Sequence, residues 1–315
     1  MIVRDRPSGW RLFLILRGSI LKQIRWVLLA NILVATAVTC LHGDVFEHKV
    51  TLTTTPFTLI GLPLAIFLGF RNTASYDRYW EARKRWGEIL LLSRNLARQC
   101  LTLIAGPQPV QHGAGQADVR VRMVRRCIAY AYALKHQLRG TPDADDVRRW
   151  VEPEEFSGLD GQRCRHAALM LNMGRDLQGA REAGAVDPIL TARIDDTLSA
   201  LMGVATACER IKNTPLPFSY TLLLHRTAYL YCFLLPFGLV DTIGYLTPFV
   251  VGIVAYTFFG LDALGDEIEE PFGLQDNDLA LDAICQTIEV NLRQALGEPA
   301  SGLPETMQPI DYCLM

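Results

Sequence analysis

Three large apolar side chains, Leu62, Ile66 and Phe70, recur every four residues in one hydrophobic stretch. A row of small residues, Gly61, Ala65 and Gly69, runs beside them, displaced by one position. On a helix each row becomes a single stripe. The small stripe lets membrane helices approach closely, and if several copies of the chain pack through it, the large stripe faces a common axis. Rings of Leu, Ile and Phe around such an axis make a narrow constriction that sheds water, which gates ions and performs no reaction. Ordinary packing of a proline-kinked helix gives the same spacing, so the pattern alone leaves both readings open. Pro63 lies inside the stretch and removes the hydrogen bond to the Leu59 carbonyl. A water-lined cavity tolerates that loss more readily than a lipid-facing surface does.

A second set of residues suggests a different chemistry. Asp262, Asp266, Glu269 and Glu270 share a helical face, with Asp77 and Glu81 elsewhere in the chain. Carboxylates four apart can hold a metal carrying a diphosphate, as in a membrane-embedded, magnesium-dependent prenyltransferase-type enzyme. Against this, Arg78, Arg83 and Lys84 stand among Asp77 and Glu81, and no Asp-rich motif repeats. Cysteines 40, 100, 127, 164, 208, 232, 285 and 313 contain no CxxC pair and the six histidines are dispersed. They read as reduced core residues with no disulfide framework, and neither a metal site nor a cofactor is expected.

The elements that must position these residues are four apolar stretches: Trp26 to Leu41, Pro56 to Phe70, Tyr220 to Val240 and Ile243 to Leu264, the last two separated by a turn at Asp241. Half of the residues are apolar and the net charge is −2, so composition alone leaves the class open; the segregation decides it. Each stretch is close to the length that crosses a bilayer. Basic residues Arg4, Arg6, Arg11, Arg17, Lys22 and Arg25 precede the first stretch, and Arg71, Arg78, Arg83, Lys84 and Arg85 follow the second, whereas the loop from Gly43 to Thr55 holds only Lys49. Positive charge on the inner side then puts both termini and the soluble body in the cytoplasm of a cell whose inner membrane the chain spans. No cleavable signal peptide is apparent. Gly9 to Ile24, with Trp10, Phe13, Leu14, Leu21 and Ile24 apolar, reads as an interfacial amphipathic helix.

The soluble body reads as helices throughout. Breaks fall at Gly106 to Gln116, Gly140 to Pro142, Glu152 to Gly161 and Gly184 to Pro188. Asp187 and Pro188 predict the cap and first turn of a helix to about Lys212, and Thr141 with Pro142 those of a shorter one. Pairs Glu81/Arg85 and Lys84/Glu88 suit one long helix, and Asp77, Arg78 and Trp80 are expected to be structural. The expected fold is all-α: residues 1–70 hold the interfacial helix and two membrane helices, 71–217 a cytoplasmic helical region, 218–264 two further membrane helices, and 265–315 a cytoplasmic helix and loose tail. A soluble scaffold on a membrane anchor is a further alternative, although it needs no Pro and Gly in the second stretch.

The run Leu68-Gly69-Phe70-Arg71-Asn72-Thr73-Ala74-Ser75-Tyr76-Asp77-Arg78-Tyr79-Trp80-Glu81-Ala82-Arg83 resembles a signature stretch of bacterial bestrophins. Asp262-Ala263-Leu264-Gly265-Asp266-Glu267-Ile268-Glu269-Glu270-Pro271-Phe272-Gly273 resembles a second, and Cys208-Glu209-Arg210-Ile211-Lys212-Asn213-Thr214-Pro215-Leu216-Pro217-Phe218 a third. The resemblance runs from about Arg17 to Leu296 and is poor at Pro107 to Gln116 and in the tail. It implies a homopentameric ion channel in the lipid bilayer, with one axial pore and an apolar neck on the second membrane helix. Leu62, Ile66 and Phe70 match the neck positions, and Pro63 the proline beside the first. It also implies a second constriction, an apolar residue after Asp-Pro at the cytoplasmic mouth, matched by Ile189. Monovalent ions are the expected permeants and nucleic acid is not an expected partner. Apolar rings carry no sign of charge, so bacterial resemblance alone tips the expectation toward cations, with chloride conduction the alternative. After Pro271-Phe272-Gly273, only Asp276 and Asp278 are acidic, too few carboxylates for the calcium site of eukaryotic relatives; Asn277 or Asp278 serves equally well as a helix cap.

Overall fold

The computed structural model describes residues 1–4, 9, 15, 18–41, 44–45, 48–49, 53–106, 117–142, 144–159 and 161–314. Trp10, Phe13 and Leu14 of the expected interfacial helix lie outside the described residues, as do 107–116 of the expected break. Among the described residues the fold is all-α: α1 (Leu21–Cys40), α2 (Thr54–Leu103), α3 (Val119–Arg139), α4 (Ala144–Arg148), α5 (Pro153–Leu159), α6 (Arg165–Glu182), α7 (Pro188–Asn213), α8 (Phe218–Ile243), α9 (Thr247–Glu269) and α10 (Leu281–Ala295). The exception is a two-residue antiparallel ladder, β1 (Asp44–Val45) against β2 (His48–Lys49). Three segments are long and apolar enough to cross a membrane: Leu21–Cys40, Thr54–Leu103 and Phe218–Glu269, the last being α8 and α9 in tandem. At about 1.5 Å per residue, the 20 residues of α1 reach about 30 Å, one hydrocarbon thickness.

The chain divides into two compact units. One comprises Arg4–Trp80 and Pro215–Pro271, the other Met1–Val3, Glu81–Thr214 and Phe272–Met315. In the first, α1, α8, α9 and the N-terminal half of α2 pack through clusters such as Ile24, Cys232, Ala255 and Phe259, or Leu64, Leu68, Leu224 and Ala228. Alanines 35, 228 and 255 are fully buried, which lets these helices approach closely. Pro236 inside α8 removes the hydrogen bond that the Cys232 carbonyl would accept. Buried Asn31 on α1 donates its Nδ2 to that same carbonyl at 2.9 Å, so the defect is repaired across a helix pair. The hairpin turn is not at Asp241, which is still helical. It lies at Gly244–Leu246, where Gly244 adopts φ 52°, a conformation a glycine enters without a Cβ penalty.

The second unit is built around α3, whose Cys127, Ile128, Tyr130 and Leu134 are completely buried. Its charged side chains are neutralised on the spot: Arg126 pairs with Glu155 at 2.8 Å and with Asp176, and Lys135 with Asp146 at 3.0 Å and Asp282 at 2.8 Å. Asp118 caps the helix by accepting from Arg120 N at 2.9 Å, and Gly140 ends it at φ 67°. The stretch from Glu152 to Gly161, read as a break, contains helix α5, started by Pro153 with Glu154 and Glu155 in its first turn. Thr141 does not cap α4; its hydroxyl lies 2.7 Å from His136 Nδ1. Neither Asn277 nor Asp278 caps α10: Ala280 holds that position, and Asp278 instead accepts from Gln275 N at 2.7 Å to close the preceding turn. Cys40 and Cys164 are exposed and Cys313 is half-buried, so they are not core residues; the other five are.

Candidate functional site

Helix α2 buries one face. Phe57, Leu64, Leu68, Arg71 and Ser75 are its covered residues up to Trp80, spaced as one stripe against α8 and α9. At about 100° per residue, the mean direction of Leu62, Ile66 and Phe70 falls roughly 170° from that of the buried stripe. The three are accordingly 67%, 47% and 63% exposed. They point away from the chain's own interior, which removes the alternative that they are ordinary intrachain packing.

The small row is divided in its use. A Cβ on Gly61 would come within 2.9 Å of Tyr231 Oη, so this glycine makes room for a tyrosine of α8 in the same chain. Ala65 is exposed, and a Cβ on Gly69 would meet nothing within 4 Å. Pro63 lies within α2, on its exposed side. It has no N–H to give the Leu59 carbonyl the usual i to i+4 hydrogen bond; at Pro236 the corresponding carbonyl is met by Asn31. Leu59 falls within the angular range of the Leu62 to Phe70 row and is exposed with it.

Immediately after Phe70, the guanidinium of Arg71 is fully buried. Nη1 donates to Asp262 Oδ1 at 2.7 Å and to the Asp262 carbonyl at 3.2 Å, Nη2 binds Asp266, and Glu269 lies 3.8 Å away. His225 Nδ1 on α8 lies 2.7 Å from Asp262 Oδ2. Three of the carboxylates that could have gathered a metal therefore surround an arginine, and among the described residues no group of His, Cys, Asp or Glu is arranged to hold a metal ion. The arrangement does not suit a metal-bound diphosphate. Nothing in the local sequence signals this cluster, since Arg71 and Asp262 stand 191 positions apart; an arginine closing an apolar helix, matched by an acidic face closing another, is the only available sign.

Further along α2, Arg78 Nε donates to the Glu269 carbonyl at 3.3 Å, and the Tyr76 and Trp80 rings stack with an interplanar angle of 8°. Glu81 takes Arg85 at 3.5 Å and Arg210 at 2.7 Å, but Glu88 pairs with Arg85 at 3.0 Å and not with Lys84.

In the second unit, Asp187 accepts from Ile189 N at 2.8 Å and Pro188 opens α7, as the sequence predicts. Ile189 is 75% exposed, so it does not cover the core. Near the possible calcium residues, the Asp278 carboxylate is engaged in its own turn, and the Asp276 carbonyl lies 3.9 Å from Cys313 Sγ.

Residues 1–294 match the family model described as "Bacterial/Fungal Bestrophin protein". A voltage-dependent anion channel-forming protein of Mesorhizobium japonicum is 42% identical over 96% of this chain and 95% of its own length. Another of that designation, YneE of Escherichia coli K12, is 39% identical over 97% and 98%. A crystal structure of a bacterial bestrophin homolog from Klebsiella pneumoniae, a single-residue variant, superposes with a TM-score of 0.81 at 40% identity, covering 88% of this chain and all of that one.

Proposed function

Because the chain belongs to the bacterial and fungal bestrophin family, we propose that it is the subunit of an ion channel whose pore is narrowed by Leu62, Ile66 and Phe70 of α2. The chain crosses the inner membrane four times, through α1, the N-terminal part of α2, α8 and α9, with both termini in the cytoplasm. Five copies surround one pore, so that each neck residue recurs as an apolar ring that passes ions only when wetted. Gly61 seats Tyr231 within each subunit, while Ala65 and Gly69 face neighbouring copies. Ile189 forms a second constriction, at the cytoplasmic mouth.

The observation that carries this reading is the exposed face of α2. It combines three large apolar residues directed away from the chain's own packing with Pro63, which withholds a helical hydrogen bond from the Leu59 carbonyl. Lipid accommodates the first readily, whereas a carbonyl short of its usual helical bond is better placed beside water than beside hydrocarbon. A narrow aqueous path between copies accommodates both. The rival enzymatic reading loses Asp262, Asp266 and Glu269 to Arg71.

The expectation of cation conduction gives way to anions, because the relatives matched over nearly their whole length bear the name of anion channel-forming proteins. Purified protein in a planar bilayer under a salt gradient tests both statements. A reversal potential of anionic sign is expected; one of cationic sign returns the selectivity to the earlier expectation, and absence of current refutes the channel.

A further inference from the structure

Arg71 sits one residue beyond the innermost neck side chain, and its side chain is fully buried. Its planar fork grips acceptors on successive turns of α9, Asp262 and Asp266, with Glu269 a further turn along. These lie at i, i+4 and i+7, hence on one helical face. Gly265 stands between them and makes room chiefly for Asn72: a Cβ there would approach Asn72 Oδ1 to 2.7 Å, while Arg71 Cζ at 3.4 Å would be in ordinary contact. His225 reaches Asp262 from α8, so α2, α8 and α9 are joined at this level.

A planar group held at two separated points resists rotation as well as sliding, which the single point charge of a lysine does not. On one rigid helix, the direction of Arg71 fixes that of Phe70 about 100° away. We propose that Arg71 is a positioning residue for the neck: its attachment to Asp262 and Asp266 sets the rotation of α2 about its own axis and so the direction of Phe70. This rests on the neck reading above, and it assigns the bore at Phe70 to a contact that no permeating ion touches. Loosening the fork lets α2 turn, and the Phe70 ring then leaves its closed position more often.

The test is single-channel recording of Arg71→Lys, Asp262→Asn and the double variant Arg71→Lys/Asp262→Asn, each checked for native assembly by size-exclusion chromatography. The expected result is assembled channels whose open probability changes about fivefold or more, the range of ordinary coupling between linked sites. The double variant should depart from the product of its singles, since the two residues act as one contact. A pair that merely stabilises the fold would lower the melting temperature but leave the open probability of the assembled channels as in the native protein, and that outcome overturns the proposal. Should neither single variant assemble, Asp266→Asn decides, because that carboxylate is more than half exposed and tolerates change; altered gating supports the proposal and native gating overturns it. Silence of the native protein counts against the channel reading instead.

Discussion

The two faces of α2 should respond to truncation in opposite ways. Leu68 is fully buried against α8, and replacing it with alanine should cost about 2–5 kcal/mol of stability, the usual range for a buried leucine. Phe70, two residues on, is 63% exposed, so roughly a third of its surface is covered. Scaled by that share, the ~3–5 kcal/mol of a buried Phe→Ala falls to ~1–2 kcal/mol. Conduction should reverse the order. If the proposed neck is correct, truncating Leu62, Ile66 and Phe70 together should widen and wet it, and each ~1.4 kcal/mol removed from a barrier raises passage tenfold. The assays are thermal unfolding of the detergent-solubilised protein and single-channel recording in planar bilayers. The triple alanine variant should assemble and conduct more, through larger conductance or higher open probability, while Leu68→Ala should unfold earlier and conduct normally wherever it assembles. Unchanged currents from the triple variant, or a Phe70→Ala cost equal to that of Leu68→Ala, would refute the reasoning.

Ile189→Ala should leave stability within about 0.5 kcal/mol, as for an exposed site, and shift relative permeability among ions of different size; normal permeability ratios argue against its role as a constriction. Asn31→Ala should strand the Cys232 carbonyl and cost about 1–3 kcal/mol with conduction unaffected in surviving channels, read by thermal unfolding. Acid should weaken the second unit in two stages. Burial drives the His166 pKa below the usual ~6.5, a shift that the nearby Glu209 opposes in part. The unfolded chain therefore binds the proton first, and stability present above that pH declines as pH falls below it. Burial also raises the carboxyl pKa values of Asp146 and Asp282, but hydrogen bonds from His136 and Lys135 to the first, and from Lys135 and Arg139 to the second, outweigh it and hold both below the ordinary range. Their contribution persists above the unfolded value near ~3.9 and is lost as pH falls through the lower folded values. His166→Gln should remove the upper stage alone in an unfolding series against pH; a slope unchanged between pH ~5 and ~7 would contradict the assignment.

Local signals predicted local structure well. Asp187-Pro188 placed the start of α7 because a capping carboxylate followed by a residue with no N–H has few other uses. The presence of membrane-length apolar segments was legible because bilayer thickness imposes length directly on sequence; the structure holds three helical segments of that kind. Single-residue competition was less so. Asp241 looked like the turn, yet Gly244, three residues on, could take the positive φ at lower cost. Pro153 looked like a break but opened a helix, since proline is as good a first-turn residue as it is an interior breaker. The stripe of Leu62, Ile66 and Phe70 was visible, but its direction was not, because that depends on which side of α2 the distant α8 covers. The pairing of Arg71 with Asp262 and Asp266 was not legible, because charge partners remote in sequence leave no periodic trace; the acidic face alone offered only the weaker alternative of a metal site.

The contact between Asn31 and the carbonyl released by Pro236 makes two distant codons answerable to each other. Losing the proline frees the asparagine to become an apolar residue, whereas losing the asparagine first leaves a proline that the helix pair no longer accommodates. Descent through this lineage should therefore show a preferred order of replacement, proline before asparagine, and chimaeras that mix α1 from one ancestor with α8 from another should fail where the two positions disagree.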